Sequence, residues 1–327
     1  MKKIGKKILK GLGWILVAVL VFVAGVSIYN RIKTFDEIEI LKSRGYYNPV
    51  DVGDHSLNVY IAGNEEGEHT FVTICGWGDG EEFIGWRPMT STFEEDNEFI
   101  FIDRAGYGLS DDVSEDMTIP EVVEDYRTAL LNLGEEGPYI LLAHSLGSLY
   151  TAYWESTYPD EIEGVIIMDG TIPIDEETQA REYNFSFWTK VYIEAEMDWL
   201  YFAGKTGVYR LLPSVYDNVF CRLGEEDREL ALSIVNRTMV THHAINEMHQ
   251  FATGALAVWT WHHIVTNDIP KIYIAASTYE EALVYAEMLG NTEVYDLPGD
   301  HVIFLDRTED CVAIIEEFMN SLDSGRT

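Results

Sequence analysis

Apolar residues fall into one long block near the start of the chain and then into short runs separated by polar stretches. Residues 11–29 (GLGWILVAVLVFVAGVSIY) carry no charged side chain, and at 1.5 Å of rise per residue a helix of that length nearly spans the hydrocarbon core of a bilayer. Residues 34–44 read as a polar helical linker. Beyond them, 50–62 read as two short strands around Gly53-Asp54, and the runs 70–75, 98–102, 139–143, 164–168, 271–276 and 293–297 read as further strands. Apolar positions recur at helical spacing over 119–133, 146–158, 280–289 and 309–322. The first of these helices has Pro120 in its opening turn and Gly134 just past its end, as helix boundaries prefer. Strands alternating with helices predict an α/β fold: a mostly parallel central sheet with helices on both faces. The alternation stops between 172 and 269, where helix follows helix without a strand. That break predicts a helical cap inserted into the core and divides the chain into an N-terminal tip and anchor (1–33), a first core part (34–172), the cap (173–267) and a second core part (268–327).

Composition narrows the setting. With 327 residues, 47% of them hydrophobic, the chain can bury a large core and is not intrinsically disordered. Lys plus Arg number 22 against 56 Asp plus Glu, a net charge of −34, so there is no basic surface for a phosphate backbone and no nucleic-acid partner is expected. The charge is unevenly placed. Residues 1–33 hold seven cations and no acid, which leaves 15 cations against 56 acids for the remainder. Five lysines precede the apolar run, so the positive-inside rule puts the N-terminus in the cytoplasm and the acidic body on the extracytoplasmic side of the cell membrane, as a single-pass protein. The competing reading is a signal peptide cleaved near Val23-Ala24-Gly25 and a secreted body; the apolar run continues past that point, which favours the uncleaved anchor. Cys75, Cys221 and Cys311 lie far apart with no CxxC pair, so at most one disulfide can form and a zinc ribbon is excluded. His242, His243, His249, His262 and His263 come without an HExxH pattern or a Cys partner, and no metal or cofactor is expected.

Chemistry concentrates where strands end. Ala143-His144-Ser145-Leu146-Gly147 stands between an apolar strand and a helix. A serine on such a turn is held in a strained conformation that exposes its Oγ, and the crowding requires small residues two before and two after it. Ala143 and Gly147 meet that requirement. Three other segments have matching positions: Cys75-Gly76-Trp77-Gly78 after one strand, Asp103-Arg104-Ala105-Gly106-Tyr107-Gly108-Leu109-Ser110 after the next, and Leu297-Pro298-Gly299-Asp300-His301 after the last. In order and position these four segments resemble those of the α/β-hydrolase superfamily over roughly residues 50–172 and 268–322, and the insertion resembles the helical cap that many members carry.

The resemblance implies a serine hydrolase. Ser145 would be the nucleophile, His301 its base and then the acid for the leaving group, and the backbone N–H groups of Trp77 and Leu146 the oxyanion hole. Two departures stand out: alanine replaces the first glycine of G-x-S-x-G, and Cys75 replaces the histidine common in the oxyanion loop. The acid that orients His301 has two candidates. Most relatives keep it after the strand matching 271–276, where this chain offers only Glu280; other branches keep it after the preceding strand, where Asp169 stands. Asp169 is preferred. His144 reads as a packing residue, and Asp103 and Arg104 as holding their loop together. Position 145 is not an aspartate, which argues against dehalogenase or epoxide-hydrolase chemistry.

Eleven aromatics fall between Tyr183 and Phe220, Tyr216 among them, about twice the chain's average density. They suggest either an aromatic-lined cap over the site or the cap's own small core. The expected substrate is therefore a small apolar acyl compound, cleaved as a carboxylic ester. An aminopeptidase in the same fold and a non-catalytic ligand-binding module remain as alternatives.

Overall fold

The computed structural model describes residues 2–326 apart from 212–218 and 239–240, with side chains described from Lys10 to Ser324. Tyr216 thus lies outside the described residues. α1 (Lys2–Ser43) is one unbroken helix, so the linker expected at 34–44 is its continuation. Its stretch Lys10–Ser43 is long and apolar enough to cross a membrane, and the most apolar 18 residues of that stretch are almost wholly unburied by the rest of the protein. From Asn30 onward it docks on the body, through Asn30 and Glu37 with Arg210 and through Leu41, which joins the core.

Eight strands follow: β1 (Pro49–Asp51), β2 (Ser56–Gly63), β3 (Thr70–Ile74), β4 (Glu98–Asp103), β5 (Tyr139–His144), β6 (Ile162–Met168), β7 (Lys271–Ala275) and β8 (Thr292–Asp296). They form one sheet in the order β1-β2-β4-β3-β5-β6-β7-β8. β1 and β2 are antiparallel to each other, and β2 is antiparallel to β4; the rest run parallel. Two short helices, α2 (Glu82–Gly85) and α3 (Arg87–Thr90), lie between β3 and β4; α4 (Ile119–Leu133) and α5 (Gly147–Thr157) flank β5. The cap contains α6 (Glu176–Glu182), α7 (Phe187–Thr206), α8 (Glu225–Thr238), α9 (His242–Ala252) and α10 (Ala255–Trp261), and no strand among the described residues. α11 (Tyr279–Leu289) joins β7 to β8, and α12 (Ile303–Asp306) and α13 (Thr308–Arg326) close the chain.

Period-two alternation divides the core. Phe71, Phe99, Phe101, Ile140, Leu142, Ile166 and Ile272 face α3, α8 and α13. Their neighbours Val72, Ile100, Ile102, Leu141, Val165, Ile167 and Tyr273 face α4, α5 and α11. Both faces of the parallel strands are therefore dry, which is why those strands read as continuous apolar runs. α4 begins at a capping box, Thr118 with Glu121, and ends on Gly134 in the left-handed region, φ 84°, so its boundaries match the sequence signals. All parallel strands point their carboxyl ends the same way, and the loops leaving β3, β5, β6, β7 and β8 meet there.

Candidate active site

Ser145 sits between β5 and α5 with φ 51°, a left-handed conformation that an L residue adopts only under constraint. Its backbone N–H donates to Met168 O at 3.2 Å, and its carbonyl accepts from Thr171 N at 2.9 Å and from Ser148 Oγ at 2.7 Å. A Cβ added at Gly147 would fall on the carbonyl oxygen of Ile74. Smallness at that position is thus a packing requirement: the helix after the turn must pass directly over β3.

His301 reaches the serine from the loop between β8 and α12. Its Nε2 lies 2.9 Å from Ser145 Oγ and its Nδ1 lies 2.7 Å from Asp169 Oδ2. Asp169, at the end of β6 with φ 42°, is fully buried. Its Oδ1 accepts from the N–H groups of Ala276 and Ser277, each at 2.9 Å, and from Thr278 Oγ1 at 2.7 Å, while Ser277 Oγ donates to Oδ2 at 2.9 Å. Burial alone would raise its pKa, but the bonds from His301, Ser277 and Thr278 prevail and hold it well below the usual carboxylate range. The loop after β7 therefore supplies donors in place of an acid. Glu280 stands exposed in the first turn of α11 and makes no hydrogen bond to His301. The bond to Asp169 raises the pKa of His301; burial opposes the rise and the nearby Asp79 charge adds to it.

The loop after β3 lies against Ser145. A Cβ at Gly76 would stand 3.0 Å from Ser145 Cβ. The Gly76 N–H donates to Asp79 Oδ2 at 3.0 Å, and the Trp77 indole N–H donates to Ala244 O on α9 at 2.7 Å. Leu146 forms the N-cap of α5 immediately after Ser145. His144 is buried and bonded at both ring nitrogens: Nε2 donates to the carbonyl of His301 at 2.9 Å, and Nδ1 lies 3.2 Å from Asp79 Oδ2. The ring thus ties the loop bearing Trp77 to the loop bearing His301, so it does more than pack. Nothing in the pattern AHSLG signalled that role, because Asp79 is distant in sequence and reads as a turn residue.

Arg104 carries a second tie. Fully buried, it donates to the carbonyls of Cys75 at 2.9 Å and Gly76 at 3.0 Å, and pairs with Glu247 of α9 at 2.7 and 2.9 Å. Tyr107 and Tyr150 also donate their hydroxyls to Glu247, and the Arg104 guanidinium stacks 3.6 Å from the Tyr107 ring centre. Burial penalises both charges. Their mutual attraction outweighs it, raising Arg104 and lowering Glu247. Asp103 accepts from Leu109 N at 2.9 Å and Asn58 Nδ2 at 3.0 Å, closing its own loop. Glu247 could not be found from sequence, since it is one acid among 56.

The cavity over Ser145 measures about 410 Å³ and is lined by Trp77, Asp79, His144, Ser145, Val219, Arg222, Asp300, His301 and Val302. The aromatics of α7 do not line it. A separate cavity of about 510 Å³ lies under α6, α7 and α9 and touches none of the residues around Ser145. The cap histidines go separate ways: His242 bonds Asn246, His262 bonds Glu176, and His263 stacks on Trp259. Among the described residues no group of three or more His, Cys, Asp or Glu could hold a metal ion.

The fold has known counterparts. A family model of the alpha/beta hydrolase fold matches residues 71–198. The uncharacterized protein YbdG of Bacillus subtilis is 28% identical over 335 residues, covering 97% of this chain and 98% of YbdG. Among solved structures, epoxide hydrolase A from Mycobacterium thermoresistibile superimposes with a TM-score of 0.64 at 17% identity, over 84% of this chain and 97% of that one. A thermophilic esterase from Thermogutta terrifontis does so with a TM-score of 0.55 at 15% identity, over 84% and 98%. The chain thus has the alpha/beta hydrolase fold, built on an eight-stranded, mostly parallel sheet.

Proposed function

We propose that this protein is a membrane-anchored serine hydrolase that cleaves carboxylic esters of apolar acyl groups through an acyl-enzyme on Ser145. The observation that carries the reading is the unbroken hydrogen-bond chain Ser145 Oγ, His301, Asp169, at 2.9 and 2.7 Å. A serine hydroxyl is a poor nucleophile at neutral pH until a base takes its proton during attack. His301 Nε2 accepts that proton as Oγ attacks the acyl carbon. Asp169 keeps the other ring proton on Nδ1 and balances the imidazolium. The backbone N–H groups of Trp77 and Leu146 receive the oxyanion, an interaction whose loss costs roughly 3 to 4 kcal/mol per donor elsewhere. His301 then protonates the departing alcohol, and water repeats the sequence in reverse to free the acid.

An ester is favoured over an aminoacyl amide because the carboxylates lining the cavity are engaged: Asp79 faces Gly76 and His144, and Asp300 lies 3.5 Å from Arg222. A carbon electrophile opened by a carboxylate nucleophile has no aspartate at 145. α1 serves as the anchor, with its lysine-rich end in the cytoplasm and the hydrolase body outside. A fluorophosphonate probe tests the chemistry: covalent labelling at Ser145 of the folded protein is expected, and a folded protein that stays unlabelled favours a ligand-binding module instead. A panel of acyl esters of varied chain length, run beside aminoacyl amides, identifies the bond.

A further inference from the structure

α7 carries four of its six aromatics on one side, turned away from the protein. At 100° per residue, Trp188, Tyr192, Ala195, Trp199 and Phe202 fall in a stripe about 80° wide. Met197 and Gly204 fall on the opposite side and Ala203 just beyond one edge of the stripe, and all three are buried. The four aromatics of the stripe are 77%, 65%, 50% and 45% exposed. A helix facing water places its charges outward, yet Lys190, Glu194, Glu196, Asp198 and Lys205 all fall outside this stripe. A continuous apolar face of that kind calls for a cover.

Its position says which cover. The end of α7 packs on α1 at Asn30, the residue directly after the uncharged run 11–29. Asn30 Nδ2 donates to Gly204 O at 3.5 Å, and Gly207, in the left-handed region with φ 77°, closes the helix against the Asn30 side chain. Arg210 then locks the pair by donating to Asn30 Oδ1 at 2.5 Å and to Glu37 at 2.7 and 2.9 Å. On α1 the exposed row Ile28, Ile32, Phe35 carries apolar surface past Arg31. Phe202 and Trp199 stand within two turns of that junction.

We infer that α7 is an interfacial helix, lying on the extracytoplasmic surface of the bilayer that α1 crosses, with Trp188, Tyr192, Trp199 and Phe202 seated at the boundary between headgroups and acyl chains. This rests on the reading of α1 as a membrane span. Trp and Tyr suit the place because each has an apolar body and one polar group for the wet side. The stripe has no Lys or Arg, so docking depends on aromatic burial and not on anionic lipid.

The test uses the full chain in phosphatidylcholine vesicles with bromine on the acyl chains near the headgroups. In a Trp14→Leu background, which removes the indole inside the span, bromine is expected to quench tryptophan emission, and adding Trp188→Phe and Trp199→Phe is expected to remove about half or more of that quenching. Alkali-resistant vesicle protein whose quenching is unchanged by the two substitutions overturns the docking and leaves the anchor standing. Indoles shielded from aqueous iodide yet insensitive to bromolipid point to a second copy as the cover and also overturn it. Release of the protein from vesicles by alkali overturns the anchor and the docking together.

Discussion

The sheet with its flanking helices and the outer face of α7 treat the same kinds of residue in opposite ways. At the sheet, Trp86 and Trp154 are fully buried, and charges such as Arg104, Glu247 and Asp169 are buried with their partners. On α7, Trp188 and Trp199 are turned outward and the helix's acids flank them in the open. The first region is specified by mutual contacts among distant segments. The second has little cover within the chain, so its contacts add little to folding. Substitutions in the two regions should therefore differ in size and in kind.

The largest effect is expected at the nucleophile. Ser145→Ala removes one oxygen from a turn whose backbone bonds remain, so the fold should persist while hydrolysis falls by up to about 10⁶-fold, as loss of a nucleophilic serine does elsewhere. Intact thermal unfolding with near wild-type turnover would falsify the acyl-enzyme mechanism. Next is the orienting acid. Asp169→Asn can present its NH2 to His301 and favour the wrong tautomer, with an expected loss in kcat of up to about 10⁴-fold on the serine-protease precedent. Glu280→Gln should stay within a few-fold of wild type, because that side chain is exposed and apart from His301. If Glu280→Gln collapses kcat and Asp169→Asn does not, the assignment is reversed.

Smaller, and of another kind, is the effect at the strap between core and cap. Glu247→Gln leaves the Arg104 guanidinium buried without a counter-charge, and breaking a buried pair from one side costs about 3 to 5 kcal/mol. Thermal or denaturant unfolding should register the loss. A variant as stable as wild type would mean that the carbonyls of Cys75 and Gly76 suffice to hold Arg104.

The two regions also differ in how far the sequence discloses them. The strands, the helices of the core and the strand-to-helix turn at Ser145 are local, and period, caps and small residues reveal them before any contact is known. Asp169 was favoured because the later loop lacks an aspartate; the structure adds that Ser277 and Thr278 in that loop donate to Asp169. Glu247 and Asp79 were invisible, since their partners lie 143 and 65 residues away and neither sits in a pattern. The density of aromatics in the cap is plain from the sequence, but a count gives no direction. Those of α7 neither line the Ser145 cavity nor form an inner core; they face out.

A modest effect on pH dependence sharpens the account of the sheet end. The hydrogen bond to Asp169 holds the His301 pKa above the ordinary imidazole value, with Asp79 adding to it and burial opposing. Only neutral His301 can take the Ser145 proton, so activity should be lost as pH falls through that raised value. The acid limb of kcat/KM is accordingly expected above about 6.5. Linkage gives the matching sign for stability: a histidine whose folded pKa is raised contributes stability that is complete below its unfolded value and is lost as pH rises through the folded one. Asp169→Asn removes the main cause, so the residual activity of that variant should titrate at lower pH. An acid limb that does not move would separate His301 from Asp169 in function.

The smallest effect is expected on the outer face of α7, and it decides whether the contrast between the regions is real. Trp188 and Tyr192 are 77% and 65% exposed, so the folded body gains little from their contacts. Trp188→Ser and Tyr192→Ser should then change unfolding stability by no more than about 0.5 kcal/mol in either direction, the range for surface positions free of special contacts. Trp154→Ala, at the same residue type but with no exposure, should cost about 3 to 5 kcal/mol because it leaves a cavity that neighbours cannot fill. The comparison is best made in detergent, where no bilayer restores the cover that α7 lacks. A large loss from either outer substitution would mean that the stripe packs against protein in solution, and the outward face of α7 would then belong to the same folding unit as the sheet.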